Sequence, residues 1–253
     1  MILLFVIIFG LMIGSFLNVC IYRIPRRESL IHPRSHCTRC DHQLKAWENI
    51  PVISYLILRG HCSSCKAKIP IRYLIVEIIT AGVFVLAYNR FGLSLDALVF
   101  VSFLSIVIVI TYIDIEHQII PNGLLAIGLI PGIYPLVRDG FNHVQQYLVG
   151  AFGLGLGFFL IGLLGNLVFR KESLGMGDVK YAALIGLILG WQSGLVASAI
   201  AFISASVFFI ILIPFGKVSF GQRVPFGPFL SLGAVLALFC GTNIINWYLE
   251  YFI

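Results

Sequence analysis

The feature that most constrains this chain is a run of 36 residues, 181 to 216, without one charged side chain. A helix needs about 20 apolar residues to cross a hydrocarbon core, so the run is too long for one crossing and suits two. Gly190-Trp191-Gln192-Ser193-Gly194 supplies a turn signal inside it, predicting helices at 178 to 190 and 195 to 214. Apolar stretches of the same kind recur near 2 to 22, 71 to 89, 93 to 115, 122 to 137, 144 to 169 and 226 to 249. The expected fold is an all-α polytopic membrane protein with about eight transmembrane helices. Composition agrees: 59% of the residues are hydrophobic and 11% charged, against about 25% charged in an ordinary soluble domain.

One segment departs from this pattern. Residues 23 to 72 are polar and carry ten of the seventeen Lys and Arg residues. The expected organisation is therefore a first transmembrane helix at 1 to 22, a small cytoplasmic domain at 23 to 72, and a multi-helix membrane domain at 73 to 253. No basic residue precedes the first apolar run and no small-residue cleavage site closes it, so it reads as a retained helix rather than a secretory signal. With the N-terminus outside, the segments 23 to 72, 116 to 121, 170 to 180 and 215 to 225 face the cytoplasm and hold fifteen of the seventeen basic residues. Merging the two helices of the long run would move Lys217 and Arg223 to the outer face, so the positive-inside rule favours eight crossings and both termini outside. The net charge of +6 does not call for nucleic acid. The cations sit beside membrane spans, where topology and anionic lipid headgroups account for them.

The polar segment holds Cys37-x-x-Cys40 and Cys62-x-x-Cys65, separated by 21 residues, just beyond the about 15 to 20 usual for a four-cysteine zinc site. A polar domain of this size has little core of its own, and a structural zinc would stabilise it. Two disulfides compete with this reading but suit a reducing cytoplasm poorly. His36, His42 and His61 flank the knuckles and could replace a thiolate, or simply be solvated. Cys20 and Cys240, in apolar spans, are expected to be buried small hydrophobes.

Acids at the edge of a span are costly and tend to be paired or functional. Asp114 follows a long apolar run in Thr111-Tyr112-Ile113-Asp114-Ile115-Glu116, and Asp178 lies in Gly175-Met176-Gly177-Asp178, whose glycines allow another backbone to approach. The charge pattern brings both to the cytoplasmic membrane face. Two adjacent carboxyl groups share a proton, which suits hydrolysis without metal or nucleophile: one takes a proton from water while the other protonates the carbonyl oxygen. The plainer alternative has Asp178 capping its helix and Asp114 paired with Lys180 or His117. Glu116 and His117 are expected to be solvated. Glu77, one turn inside the second helix, is either a partner of Arg72 or part of an amine-binding site. Asn18 is expected to hydrogen-bond across helices, and the glycines at 150, 153, 155, 157, 162 and 165 to pack the fifth helix tightly.

Taken in order, Gly14-Ser15-Phe16-Leu17-Asn18-Val19, Tyr22-Arg23-Ile24-Pro25, Asn49-Ile50-Pro51, Leu58-Arg59-Gly60, Arg72-Tyr73 with Glu77, the Asp114 segment through Ile119-Ile120-Pro121-Asn122, Gly175-x-Gly-Asp178 and Pro225-Phe226-Gly227-Pro228-Phe229 resemble the type 4 prepilin leader peptidase family across nearly the whole chain. The departures are Thr38 and Leu74, where Pro is common, and Asn122 for a frequent Asp. The resemblance implies a membrane aspartyl endopeptidase with Asp114 and Asp178 as the catalytic pair. It would cut the leader of a prepilin or pseudopilin after a glycine at the cytoplasmic face of the bacterial inner membrane. It also implies N-methylation of the new terminus with S-adenosylmethionine, although the chain has no glycine-rich Rossmann fingerprint. The donor site would then be built otherwise, between the zinc loop and the membrane helices, with Glu77 a weak candidate. The rival is a zinc-stabilised scaffold or ion-coupled transporter. It would favour acids at mid-membrane and an internal repeat.

Overall fold

An apolar segment in lipid must satisfy its backbone internally, and a helix is the local way to do so. Each of the long apolar runs is helical in the computed structural model, which describes residues 1–170, 173–216 and 224–252. Lys171, Lys217 and Arg223, which the charge count uses, lie outside the described residues. The chain forms two compact units, Met1–Val109 and Ile110–Ile253.

In the first unit, α1 (Ile2–Arg23) packs along α3 (Arg72–Phe91). Small residues let the two backbones approach: a Cβ added at Gly14 would lie 2.7 Å from Glu77 Cα, and one at Gly10 would lie 2.8 Å from Ala81 Cα. Asn18 Nδ2 donates to the Tyr73 carbonyl at 3.0 Å, the expected amide bond between helices. The polar segment between them holds a single 3-10 turn, Ala46–Asn49, and the short helix α2 (Ile53–Ile57). The next helix, α4 (Leu95–His117), begins in this unit and ends in the second, where Gln118 at φ 55 terminates it and donates its N–H to the Asp114 carbonyl.

The second unit contains α5 (Asn122–Arg138), α6 (Phe141–Phe169), α7 (Met176–Leu212) and α8 (Gly227–Phe252). α7 is not one rod but two helices joined at a kink. Gly190 has φ 77 and ψ 171, a conformation outside the helix and open in practice only to glycine. A Cβ at Gly194 would lie 3.5 Å from Gly186 Cα, whereas eight residues of straight helix advance about 12 Å. The chain therefore reverses inside the predicted 190 to 194 turn. The first arm packs on α6 so closely that Gly150 and Gly186 meet backbone to backbone, the tight packing expected of the glycine-rich helix, whereas a Cβ at Gly153 or Gly157 would meet nothing within 4 Å.

Among the described residues, α1, α3, α4, α6, α7 and α8 are long and apolar enough to cross a membrane. The shorter α5 has 17 residues, about 26 Å of helix, and accommodates Pro131 and Pro135. Element limits lie within three residues of those expected, and the protein is an all-α, multi-pass membrane protein.

Candidate active site and metal centre

Two tight turns build the candidate metal centre. In the first, Cys37 N–H donates to the His42 carbonyl and Asp41 N–H to the Cys37 carbonyl; in the second, Cys62 N–H donates to Ala67 and Lys66 N–H to Cys62. Asp41 (φ 55) and Lys66 (φ 58) take the left-handed conformation at equivalent places. The two knuckles are thus copies of one backbone motif, each flanked by an isolated antiparallel bridge, His36 to Gln43 and His61 to Lys68.

Together they bring the four sulfurs of Cys37, Cys40, Cys62 and Cys65 within 4.8 Å of one another. Cys37 and Cys65 Sγ are 3.8 Å apart, the edge of a tetrahedron around an ion with bonds of about 2.3 Å. The cluster could hold a metal ion. Burial would raise the Cys37 thiol, but N–H donors at Arg39 and Cys40 bring it down to about 7. The backbone at His42 favours the Cys40 thiolate, yet the thiols of Cys65, Cys37 and Cys62 push it up to about 12. Four thiolates at this spacing repel, and a cation relieves that repulsion.

The flanking histidines stand outside the sulfur cluster. His36 Nδ1 and His61 Nδ1 face the carbonyls of Arg34 and Arg59 at 3.1 and 2.7 Å. His42 Nε2 lies 3.1 Å from Glu48 Oε2, and Lys45 N–H donates to the same carboxylate at 2.7 Å. The Ser63 hydroxyl, the Lys45 N–H and His42 hold the Glu48 carboxyl down at about 2. Glu48 therefore ties one knuckle to the other. Of the two isolated cysteines, Cys20 is buried as expected, whereas Cys240 is exposed. An apolar helix facing lipid leaves such a thiol on its outer surface, which hydropathy alone does not distinguish from burial.

The two aspartates belong to the second unit. Asp114 is in the last turn of α4 and only 5% exposed. Gly227 N–H, at the start of α8, donates to Asp114 Oδ2 at 2.8 Å. A Cβ at Gly227 would stand 2.7 Å from that oxygen, so glycine is what allows the carboxylate to reach the amide. Asp178 is half-buried in the first turn of α7, its Oδ2 against Gly175. The neighbouring Gly177 lies against Ile120, just past the end of α4. The Asp114 and Asp178 carboxyl groups are within electrostatic reach of each other, and Tyr181, one turn after Asp178, also feels the Asp114 charge while bonding Ser231 at 2.9 Å.

This arrangement departs from the plainer reading of the acids. The departure is at Asp114: the Asp178 carboxylate does accept from the Gly175 N–H at the head of α7, as a capping acid would. Lys180 donates to Asn122 at 2.9 Å rather than pairing with Asp114. An acid added for helix stability belongs in a first turn, so the dipole could explain Asp178 but not Asp114. Glu116 is exposed as expected, while His117 is half-buried with Nε2 unpartnered. Sequence reasoning missed the amide of Gly227. Its signal was a glycine flanked by prolines in Pro225-Phe226-Gly227-Pro228, with Phe226 fixed by the rings of Phe158 and Phe202.

Glu77 is buried on α3 in the first unit, where Val52 N–H donates to Oε2 at 2.7 Å and the Ser15 hydroxyl also bonds the carboxylate.

Known proteins match across both units. A family profile described as the bacterial peptidase A24 N-terminal domain matches residues 8–91, and one described as the type IV leader peptidase family matches residues 101–210. A prepilin leader peptidase/N-methyltransferase from Legionella pneumophila is 33% identical, covering 96% of this chain and 93% of its own. Proteins of the same description from Pseudomonas putida and Pseudomonas aeruginosa are 32% and 33% identical over 94% and 97% of this chain, and 90% and 92% of their own. No solved structure matches.

Proposed function

The chain belongs to the type IV leader peptidase family, and from that premise we propose that Asp114 and Asp178 are the catalytic pair of an aspartyl endopeptidase that removes the leader of prepilins or pseudopilins. The observation that carries the reading is the buried Asp114 carboxylate, held by the Gly227 amide within electrostatic reach of Asp178. The Gly227 N–H orients one oxygen of Asp114 and leaves the other for the reaction. One carboxyl group takes a proton from the attacking water while the other protonates the scissile carbonyl, and the roles exchange as the amine leaves. Each of Asp114→Asn and Asp178→Asn is expected to lose about 100-fold or more in cleavage of a purified prepilin, the scale of one general acid or base. Wild-type cleavage by either variant overturns the assignment.

The organisation proposed with this chemistry is a first transmembrane helix, a cytoplasmic domain over residues 23 to 72 and a membrane peptidase domain over 73 to 253. It has eight crossings of the bacterial inner membrane, with both termini outside. The loop and aspartates then share the cytoplasmic face, where a prepilin presents its leader. Cys37, Cys40, Cys62 and Cys65 would hold one zinc ion, whose role is to cross-link a segment with little apolar core. The relatives' second activity supports a further reading: the enzyme also methylates the newly exposed amine, with S-adenosylmethionine supplying an electrophilic methyl group.

A further inference from the structure

The first unit contains a cavity of about 410 Å³ between the four-cysteine loop and the facing sides of α1 and α3, within the range of small-molecule sites. We infer that this cavity binds the methyl donor, a sulfonium-bearing amino-acid nucleoside, and that Glu77 and the side-chain oxygen of Asn18 receive the cationic part of it. The inference rests on the methyltransferase reading above and gives that reading a place.

Asn18 lines the cavity, is 1% exposed, and spends its amide nitrogen on the Tyr73 carbonyl, while its Oδ1 has no hydrogen-bond partner. A buried acceptor left in that state is costly unless a ligand completes it. Four helical residues before it, Gly14 lets α3 approach closely enough to set Glu77 beside the same space. Glu77 also lines the cavity, its carboxylate oriented by the Ser15 hydroxyl and the Val52 N–H. To aim that N–H, Val52 adopts φ 62 and ψ −51, a conformation β-branched residues rarely take. Strain held at such a point suits a site whose geometry matters.

The remaining chemistry of the lining fits the other parts of this donor. Arg39 and Lys68 supply cations for a carboxylate, and Tyr22 and Tyr73 supply rings for stacking a base. Glu77 at the membrane end and Arg39 and Lys68 on the loop match a molecule that carries a sulfonium, an ammonium and a carboxylate, while the other charged side chains of the lining, Glu48 and Arg23, are already bonded to loop groups. Because both cysteine knuckles contribute wall residues, the metal centre would shape the site without touching the transferred group.

The test uses full-length, zinc-loaded protein in detergent or nanodiscs. Binding of S-adenosylmethionine and of S-adenosylhomocysteine, which lacks the sulfonium charge, is measured by calorimetry for wild type and Glu77→Gln. Glutamine keeps an oxygen for the Val52 N–H, so the fold is retained. The variant should bind the sulfonium form about tenfold or more weakly, the scale of one lost charge-assisted contact. Its affinity for S-adenosylhomocysteine, which keeps the ammonium and carboxylate but not the sulfonium, should stay within about threefold, and prepilin cleavage should be unchanged. An azido-adenine donor should crosslink to peptides containing residues 15 to 23 or 67 to 77. If the wild type neither binds the donor nor methylates a pre-cleaved pilin, the methyltransferase reading itself falls. If the wild type does both but Glu77→Gln binds like wild type and the crosslinks lie elsewhere, the cavity is not the donor site. A raised KM for pilin with donor affinity intact makes Glu77 an amine-binding residue and overturns its assignment to the donor.

Discussion

Replacing Gly227 with alanine tests the peptidase geometry without touching either acid. The new Cβ would stand 2.7 Å from Asp114 Oδ2, 3.1 Å from Cγ and 3.3 Å from the Asp114 Cβ. Ordinary contact begins near 3.4 Å, so the carboxylate oxygen must retreat by about 0.7 Å or α8 must move away. Either change stretches the 2.8 Å bond from the Gly227 amide. A hydrogen bond to a charged group contributes about 1.5 to 3 kcal/mol, or about 10- to 150-fold in rate if it is lost only from the reacting geometry. A misplacement of about 1 Å carries a similar penalty. Gly227→Ala should therefore lower kcat for prepilin cleavage by about 10- to 100-fold with KM for the prepilin nearly unchanged. Methylation of a pre-cleaved pilin should remain. Gly123→Ala is the matched control, because a Cβ there meets nothing within 4 Å. If Gly227→Ala cleaves within about twofold of wild type, the amide does not position Asp114 and the reasoning fails.

Gly190→Ala should lower stability by about 1 to 3 kcal/mol, since alanine must adopt φ 77 and ψ 171 at the reversal of α7; thermal unfolding in detergent measures it. Metal analysis should find one zinc per chain, absent in Cys62→Ser, and the loop of that variant should become sensitive to limited proteolysis while the membrane helices stay protected. Glu48 is held at about 2, below its ordinary 4.5. Its ionised form therefore stabilises the folded loop fully above the ordinary value, and that contribution is lost as pH falls towards about 2. The difference in loop stability between wild type and Glu48→Gln, read by hydrogen exchange, should be largest near neutrality and shrink as pH falls below about 4.5. A pH-independent difference would sink this account.

Much of the architecture was legible because lipid leaves the backbone few choices. An apolar run of 36 residues could not be one crossing, and glycines at 190 and 194 marked where it had to bend. The structure puts the reversal at Gly190 itself, where the required φ excludes other residues. The cysteine cluster was legible for a similar reason: a CxxC spacing almost dictates the turn that converges two thiolates. Less visible was the equivalence of the two knuckles, which resides in paired carbonyl contacts and left-handed residues at Asp41 and Lys66 rather than in side-chain identity.

The neighbours of the acids were harder to foresee, because charge asymmetry assigns a residue to a membrane face and not to a partner. Lys180 was a natural candidate for Asp114 on charge alone, but it donates to Asn122. The partner is instead a neutral backbone amide 113 residues away, and no pattern of charges or periodicity advertises an amide. What could have pointed to it is steric: a glycine between prolines at the head of an apolar helix has no turn to make there, so its missing side chain must serve a neighbour. The same logic applies to Gly14, whose bare Cα places Glu77. In a chain whose helices are dictated by lipid, glycines away from turns carry information about the sites, because they mark where a functional side chain must come closer to a backbone than any Cβ would permit.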